Sequence, residues 1–366
     1  MSNNVRLCGG MGIKHLNKYL TMNCTRESIQ RIALHELRGR TVVIDCFQFL
    51  YKFLADNRME EHMDQMINML MDRQIVPIFV FDGKPPPEKK AVLEQRRAKK
   101  HDAKVRYDEL MASVTTTPTP ELANELACLK KKFIRIDYEH IQCAKKIMQQ
   151  YDITYVDAPG EADAVCVEMV QSQRAWACLS DDMDMFAYGC DRVLRELSLV
   201  SGKVTLYRTQ SILIDLRVSM QEFREILVIS GTDYHDGTKG TEDQSKYHNL
   251  YETMKWFQAY RREHAVFSHS HSHSHSHSHS HSNSQRHPTR YYENPDSAWA
   301  GYRTKYERRQ YMNHRNSERS YVTSGTEGTD GTKGTGDGKF YPWLMKHTKY
   351  IHDYDALMKI YNMFVI

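Results

Sequence analysis

The chain has 366 residues, 26% of them charged and 40% hydrophobic, and a formal net charge of +4. That length can hold one large core or two domains, and the charge is too small to decide a partner, so its distribution matters more. No apolar run reaches membrane-spanning length, the polar start MSNNVRLCGG is no signal peptide, and no Cys-x-x-Cys pair speaks for structural zinc.

Eight cysteines (Cys8, Cys24, Cys46, Cys128, Cys143, Cys166, Cys178 and Cys190) are spread through the chain, several inside apolar runs. They read as reduced, mostly buried thiols. A soluble intracellular protein is therefore expected, in the nucleus or cytoplasm or at a viral replication site, with no membrane contact and no secretion.

Residues 1–10 read as an N-terminal extension, because MGIKHL from Met11 looks like a second beginning. Thr41-Val-Val-Ile44 is a β-branched run that predicts a buried strand ending at Asp45. Helical spacing follows through Phe47, Leu50, Phe53 and Leu54, and again from Met63 to Met71. Val76 to Phe81 predicts a second strand, again closed by an acid, Asp82, before Gly-Lys-Pro-Pro-Pro. A long helical excursion then covers residues 88–150. Its first part holds eight Lys or Arg between Lys89 and Arg106, with Lys89, Arg96, Lys100 and Lys104 on one side at near-helical spacing. Such a run is usually a solvated face. Were the acids that follow the strands to share divalent cations, such a run beside them is what a phosphodiester substrate requires.

Ile153 to Val156 predicts a third strand and Ala175 to Leu179 a fourth. Between them DAPGEADAVCVEMV reads as a turn and a buried helix, with Asp157 as its cap and Pro159 in its first turn. Strands alternating with helices predict an α/β fold with a largely parallel twisted sheet flanked by helices. Acids after the carboxyl ends of such strands mark the crevice where open α/β sheets bind ligands. Glu161 and Asp163 lie on one side of the apolar segment, and Asp181, Asp182 and Asp184 on the other. Glu161 and Asp163 can reach one site only if the first lies in the turn before the helix. Asp182 and Asp184 share a face if they leave the strand extended.

After Leu194 the chain passes Lys203 to Tyr207, an amphipathic stretch from Met220 to Ile229, and Ser230-Gly-Thr-Asp233-Tyr234. Residues 237–339 change character, with Gly-Thr triplets at both ends, a Ser-His alternation from Ser268 to Ser282 and an Arg- and Tyr-rich stretch from Arg286 to Tyr321. That block is expected to be mostly disordered, except where Leu250, Met254, Phe257 and Tyr260 recur at helical spacing. Helical pattern returns over 340–366.

MGIKHL, VVIDCFQFLYKFL, IFVFDGKPPPEKK, YVDAPGEADAVC, LSDDMDMFAYG and ISGTDY together resemble the structure-specific 5′ nucleases of the flap endonuclease and XPG family, in that family's order. The resemblance covers residues 11–236 and implies a PIN-like nuclease core, a helical arch at about 88–135 and a small helical C-terminal part. It implies that Asp45, Asp82, Glu161, Asp163, Asp182, Asp184 and Asp233 hold two Mg²⁺ ions, with Mn²⁺ a possible substitute. Lys89 and Arg96 match the arch residues that reach the scissile phosphate. Tyr51 matches an aromatic that stacks near the scissile nucleotide, a core tyrosine being the alternative. Gly12 begins the family's N-terminus beside the active site. Lys84, Lys90, Arg97, Lys100 and Lys104 are further candidate DNA contacts.

The implied activity is metal-dependent cleavage near junctions of a 5′ single strand with duplex DNA, in replication and repair, by a monomer. A 5′→3′ exonuclease or junction resolvase of the same family, or a catalytically silent DNA-binding scaffold, are the alternatives. Three departures stand out. The segment between Asp45 and Asp82 is shorter than in flap endonucleases. GTKGTEDQ lacks the family's Gly-Ile-Gly-Pro duplex-binding pattern, and YNMFVI lacks the Gln-led motif for a sliding clamp, so clamp contact is not expected.

Overall fold

A computed structural model describes residues 12–113, 119–232, 234, 250–270, 340–348, 350–351 and 353–366, with side chains of the 250–270 helix described through His264. By internal contacts the chain divides into Met1–Val266 with Gly338–Ile366, and Phe267–Asp337. The Ser-His tract beyond Ser270, the Arg- and Tyr-rich stretch, the Gly-Thr triplets, residues 1–10 and Asp233 lie outside the described residues.

Seven strands form one sheet: β1 (Ile29–Ala33), β2 (Thr41–Asp45), β3 (Val76–Phe81), β4 (Thr154–Asp157), β5 (Ala177–Leu179), β6 (Arg192–Ser198) and β7 (Lys203–Arg208). Their order is β1-β7-β6-β5-β2-β3-β4. The run from β4 to β6 is parallel, and β7 and β1 add to it antiparallel. The largely parallel reading thus holds for the centre, while β1, β6 and β7 are strands that the sequence pattern did not announce. Their polar residues explain why. Gln30 and Arg31 in β1, and Arg195 and Glu196 in β6, break the apolar run that identifies a central strand.

β2 is central because Val42, Val43 and Ile44 are all buried and pack on both faces. Val43 points into a core with Val80, Cys178 and Val193, which is covered by α1 (Leu16–Asn23), α7 (Ala162–Gln171), α9 (Thr209–Leu216) and α10 (Met220–Ile229). Val42 and Ile44 point the other way, into a core with Phe79, Ala177 and Leu194. There α2 (Cys46–Ala55), α3 (Met59–Asp72) and α6 (Tyr138–Gln150) close over them. This alternation is the period-two signature of a strand buried on both sides.

Two helices stand apart, α4 (Lys90–Ser113) and α5 (Pro120–Lys132), which pack against each other. Thr119 caps α5 by accepting the Leu122 N–H at 3.3 Å. Of the 24 residues of α4 only Ala103 is buried.

The short α8 (Met185–Tyr188) follows β5. Next come α11 (Leu250–Ser270), α12 (Phe340–His347) and α13 (Tyr354–Met363). Leu250, Met254, Phe257 and Tyr260 of α11 are buried in the first core, and Phe257 meets Phe340 edge-on with ring centres 5.1 Å apart. Trp343 donates its indole N–H to Glu263 at 2.6 Å. The folded unit therefore takes in α11, beyond the compositional boundary at 236, because that helix carries an apolar stripe inside an otherwise polar block. The seven described cysteines are free thiols. Among the described residues no helix is long and apolar enough to cross a membrane.

Candidate functional site

β2 has β3 on one side and β5 on the other, so the chain leaves it in opposite directions and opens a crevice beyond its carboxyl end. Asp45 is the last residue of β2, Asp82 follows β3, and Asp182 and Asp184 follow β5. Glu161 and Asp163 stand at the start of α7, which comes after β4. Six acids distant in sequence thus arrive at one end of the sheet, where backbone hydrogen bonding fixes their spacing.

Local contacts hold each one. Ser180 donates its hydroxyl to Asp45 Oδ2 at 3.2 Å and accepts the Asp182 N–H at the same distance. The Asp184 N–H donates to Asp182 Oδ1 at 2.9 Å, so these two acids sit in a turn and are not extended. Asp181 leaves the group, since its Oδ1 accepts the Glu196 N–H at 2.7 Å and its own N–H reaches Gln48 Oε1 at 2.5 Å. Gln48 also donates to the Leu179 carbonyl at 3.2 Å, and so ties α2 to the end of β5.

Asp82 Oδ1 accepts the Ala162 N–H at 2.8 Å and caps α7 from outside. Glu161, the N-cap residue itself, makes no side-chain cap bond. Its carboxylate instead accepts from the Lys89 ammonium and the Tyr234 hydroxyl. The expected Asp157 cap is not made: Asp157 ends β4 and is held by Lys145 Nζ at 2.5 and 2.8 Å. The helix begins only at Ala162, too far along the chain for Asp157 to cap it.

Two glycines let the elements meet. Gly12 has φ +75°, and a methyl group there would overlap the carboxylates of Asp182 and Asp184. Gly83 lies so close to the Ala158 carbonyl that no side chain fits. Its N–H donates to the Gly160 carbonyl at 2.7 Å, locking the loop after β3 to the loop after β4.

The electrostatics follow from burial and like charge. Asp45 is 6% exposed, and burial, then the charges of Asp82 and Asp182, raises its pKa to about 8. Burial first and then Asp182, Asp45 and Asp82 push Asp163 well above the usual carboxylate range. Asp82 is surface-accessible, yet protein packed around its carboxylate raises it too, against the opposing effects of the Ala162 N–H and Lys89. These carboxylates oppose one another's ionisation, and a hard divalent cation is the partner that offers such oxygens most in return. As placed, no three acids among the described residues form a group that could hold a metal ion. The donor set fits by its chemistry: it is all carboxylate, it is crowded, and Glu161 is already engaged by a cation.

The basic candidates divide by burial. Lys89 ends the 3-10 turn Pro87–Lys89, is 12% exposed, and reaches Glu161. Arg96 is half-buried on α4, while Lys84, Lys90 and Arg97 are exposed. Lys100 Nζ stands 4.8 Å from the Tyr51 ring centre and donates to the Ile134 carbonyl at 3.0 Å. Lys104 is paired with Asp108 at 2.9 Å. Tyr51 is 37% exposed on α2, so it is not a core tyrosine. Ser180, Gln48, Tyr188 and Tyr234 belong to the site and were not picked out from the sequence. Ser180 and Tyr234 adjoin acids of the motifs LSDDMD and GTDY, which is the one signal that pointed to them.

An all-carboxylate crevice at the switch point of a parallel sheet, joined through Lys89 to the start of a basic helix, marks an α/β protein whose crevice suits a hard cation. A family model described as the XPG N-terminal domain matches residues 11–103, and one described as the XPG I-region matches residues 152–233. The chain thus carries the N-terminal and I-region domains of the XPG family, a family of divalent-metal-dependent nucleases. It is 28% identical over 255 residues to Flap endonuclease 1-B of Oryza sativa subsp. indica, covering 64% of this chain and 60% of that one. It is 27% identical over 229 residues to Flap endonuclease 1 of Methanobrevibacter smithii, covering 58% and 68%. A solved flap endonuclease-1 from Methanococcus jannaschii is 25% identical with a TM-score of 0.45, covering 66% of this chain and 77% of that one. The chain thus spans 60% of the length of the rice relative.

Proposed function

We propose that the protein is a structure-specific 5′ nuclease that hydrolyses phosphodiester bonds near junctions of a 5′ single strand with duplex DNA, using two Mg²⁺ ions that Mn²⁺ can replace. The observation that carries this reading is the convergence of Asp45, Asp82, Glu161, Asp163, Asp182 and Asp184 at one sheet end, with arch-borne Lys89 already in contact with one of them. These acids, with Asp233, would hold the ions. When bound, such ions lower the pKa of an attacking water and stabilise the leaving oxygen.

The chain's own groups do the rest. Lys89 spends its charge on Glu161 and must turn from it to meet a non-bridging oxygen of the scissile phosphate. There, with Arg96, it offsets charge that grows in the transition state. Tyr51 offers an exposed ring face for a terminal base, with Lys100 beside it for the backbone. Gly12 leaves the acid crevice open where a side chain would fill it. Lys84, Lys90, Arg97 and Lys104 supply weaker, salt-sensitive attraction.

End-labelled 5′-flap, nicked, gapped and four-way DNA, each with and without Mg²⁺, test the reading, with Asp184→Ala as control. Mg²⁺-dependent cuts at the flap junction, lost in the variant, are expected. Binding of all four DNAs with no cleavage under any divalent cation would leave only a scaffold.

A further inference from the structure

The last turn of the chain reaches the acid crevice. Phe364 follows α13 and is fully buried. Its ring centre lies 4.6 Å from that of Tyr188 and 5.5 Å from that of Tyr234, the latter edge-on at 84°. The two tyrosine hydroxyls are 3.0 Å apart. Because Tyr234 donates its proton to Glu161, it accepts from Tyr188, which gives a directed relay from Tyr188 to Tyr234 to Glu161. The Lys89 ammonium stands over the Tyr234 ring, 5.2 Å from its centre, and also contacts Glu161.

Tyr234 is therefore gripped on three sides: by Phe364 at its edge, by Lys89 at its face and by an acid at its hydroxyl. Two of those three partners are the candidate metal ligand and the candidate catalytic cation. The third comes from the far end of the sequence, on a helix that packs against α10. The segment is secured further upstream, where the Tyr341 hydroxyl donates to the Glu225 carbonyl at 2.8 Å. A tyrosine ring has two torsions, and removing one wall frees both. The hydroxyl that orients Glu161 and the ring face that holds Lys89 would then move together.

We propose that Phe364 is a positioning residue for the acid crevice, acting through Tyr234 on Glu161 and Lys89, so that docking of the C-terminal helix sets divalent-cation affinity. The inference rests on the nuclease reading for its purpose, but it can be measured without cleavage. Partners that orient metal ligands typically govern affinity by 10–100-fold, so a shift of about tenfold is expected.

The experiment uses the full chain and its Phe364→Ala, Phe364→Leu, Tyr234→Phe and Tyr188→Phe variants. Mn²⁺ binding is followed by calorimetry without DNA, alongside the Mg²⁺ dependence of single-turnover cleavage and the melting temperature. Phe364→Ala and Tyr234→Phe should both weaken Mn²⁺ binding by about tenfold, and Phe364→Leu by less. Tyr234→Phe should do so with a smaller change in melting temperature than Phe364→Ala, since it keeps the ring and removes only a hydroxyl. Should Phe364→Ala fail to fold, Phe364→Leu decides, because it keeps an apolar side chain in the core but loses the ring that meets Tyr188 and Tyr234. A lower melting temperature in Phe364→Ala with unmoved Mn²⁺ affinity in it and in Tyr234→Phe would make Phe364 a packing residue and overturn the proposal. So would a wild-type chain that binds no Mn²⁺. Shifted Mn²⁺ affinity without cleavage by any form would uphold the positioning role while sinking the nuclease reading.

Discussion

The acid crevice and the helical arch carry the two halves of the proposed chemistry and are built on opposite physical terms. Most of the crevice acids follow β2, β3 and β5, whose residues are largely buried, so a side chain there has little room to stray. The arch is nearly all surface, and its ion pairs, such as Lys104–Asp108 with both side chains more than half exposed, are of the solvent-screened kind worth little to stability. Mutually repelling carboxylates need a stiff scaffold that does not relax away from the strain, whereas a basic clamp that must admit a single strand is better left loosely packed. Lys89 is the exception that joins the regions, since it sits where the arch begins and is as buried as the acid it touches.

The sharpest way to break this comparison is in the crevice. Asp82→Ala or Asp184→Ala should reduce single-turnover cleavage by roughly a thousandfold or more, at least the loss of a main electrostatic element. DNA affinity, read by fluorescence anisotropy, should hold or tighten, because a repelling charge is gone. Near wild-type turnover would remove these acids from any metal site. Next come Lys89→Ala and Arg96→Ala, expected to slow the chemical step by about a hundredfold while weakening binding much less. Should affinity alone fall, with single-turnover rates intact, the arch is a solvated basic face and nothing more.

Smaller effects separate the core from what surrounds it. A chain lacking residues 267–337 keeps Glu263, the partner of Trp343. It should fold, cut 5′ flaps, and lose affinity by only a few-fold with a shallower salt dependence, since the basic residues from Arg286 to Arg319 go with it. A soluble, folded deletion without cleavage would place that stretch in the working enzyme.

The mildest test isolates what burial does to a carboxylate with no role in the site. Glu225 is 3% exposed on α10, and burial raises its pKa to about 7, against a bond from Gln221. Its proton is held more tightly in the folded chain, so its stabilising share is complete below about pH 4.5 and is lost as pH rises through about 7. Glu225→Gln should therefore raise stability at pH 8 by about 1–3 kcal/mol in urea melts, have little effect at pH 4, and leave cleavage alone. Asp45→Asn should stabilise in the same sense and abolish activity. That pairing of outcomes would show the crevice acids to be kept for function at a cost in stability.

The sequence alone determined the α/β class, because Thr41 to Ile44 and Val76 to Phe81 are apolar runs too short for helices and each is closed by an acid. It determined the seven acids and Lys89 and Arg96 as candidates, since their motifs stand in order along the chain. It also announced α11, α12 and α13 through apolar spacing inside or after a polar block. Tertiary structure decided the rest. β1 owes its place to pairing with β7, a long-range choice that no local run of residues encodes, while the β6–β7 hairpin joins the sheet through β5. Which acid caps α7 depended on Asp82 arriving from another strand, and which acid leaves the crevice depended on β6 offering the Glu196 N–H to Asp181. Phe364 beside Tyr234 could not have been read from either motif, because residues remote in the chain become neighbours only when helices find a common core. Spacing along the backbone records what a segment can form; which segments share a surface is settled by the burial they achieve together.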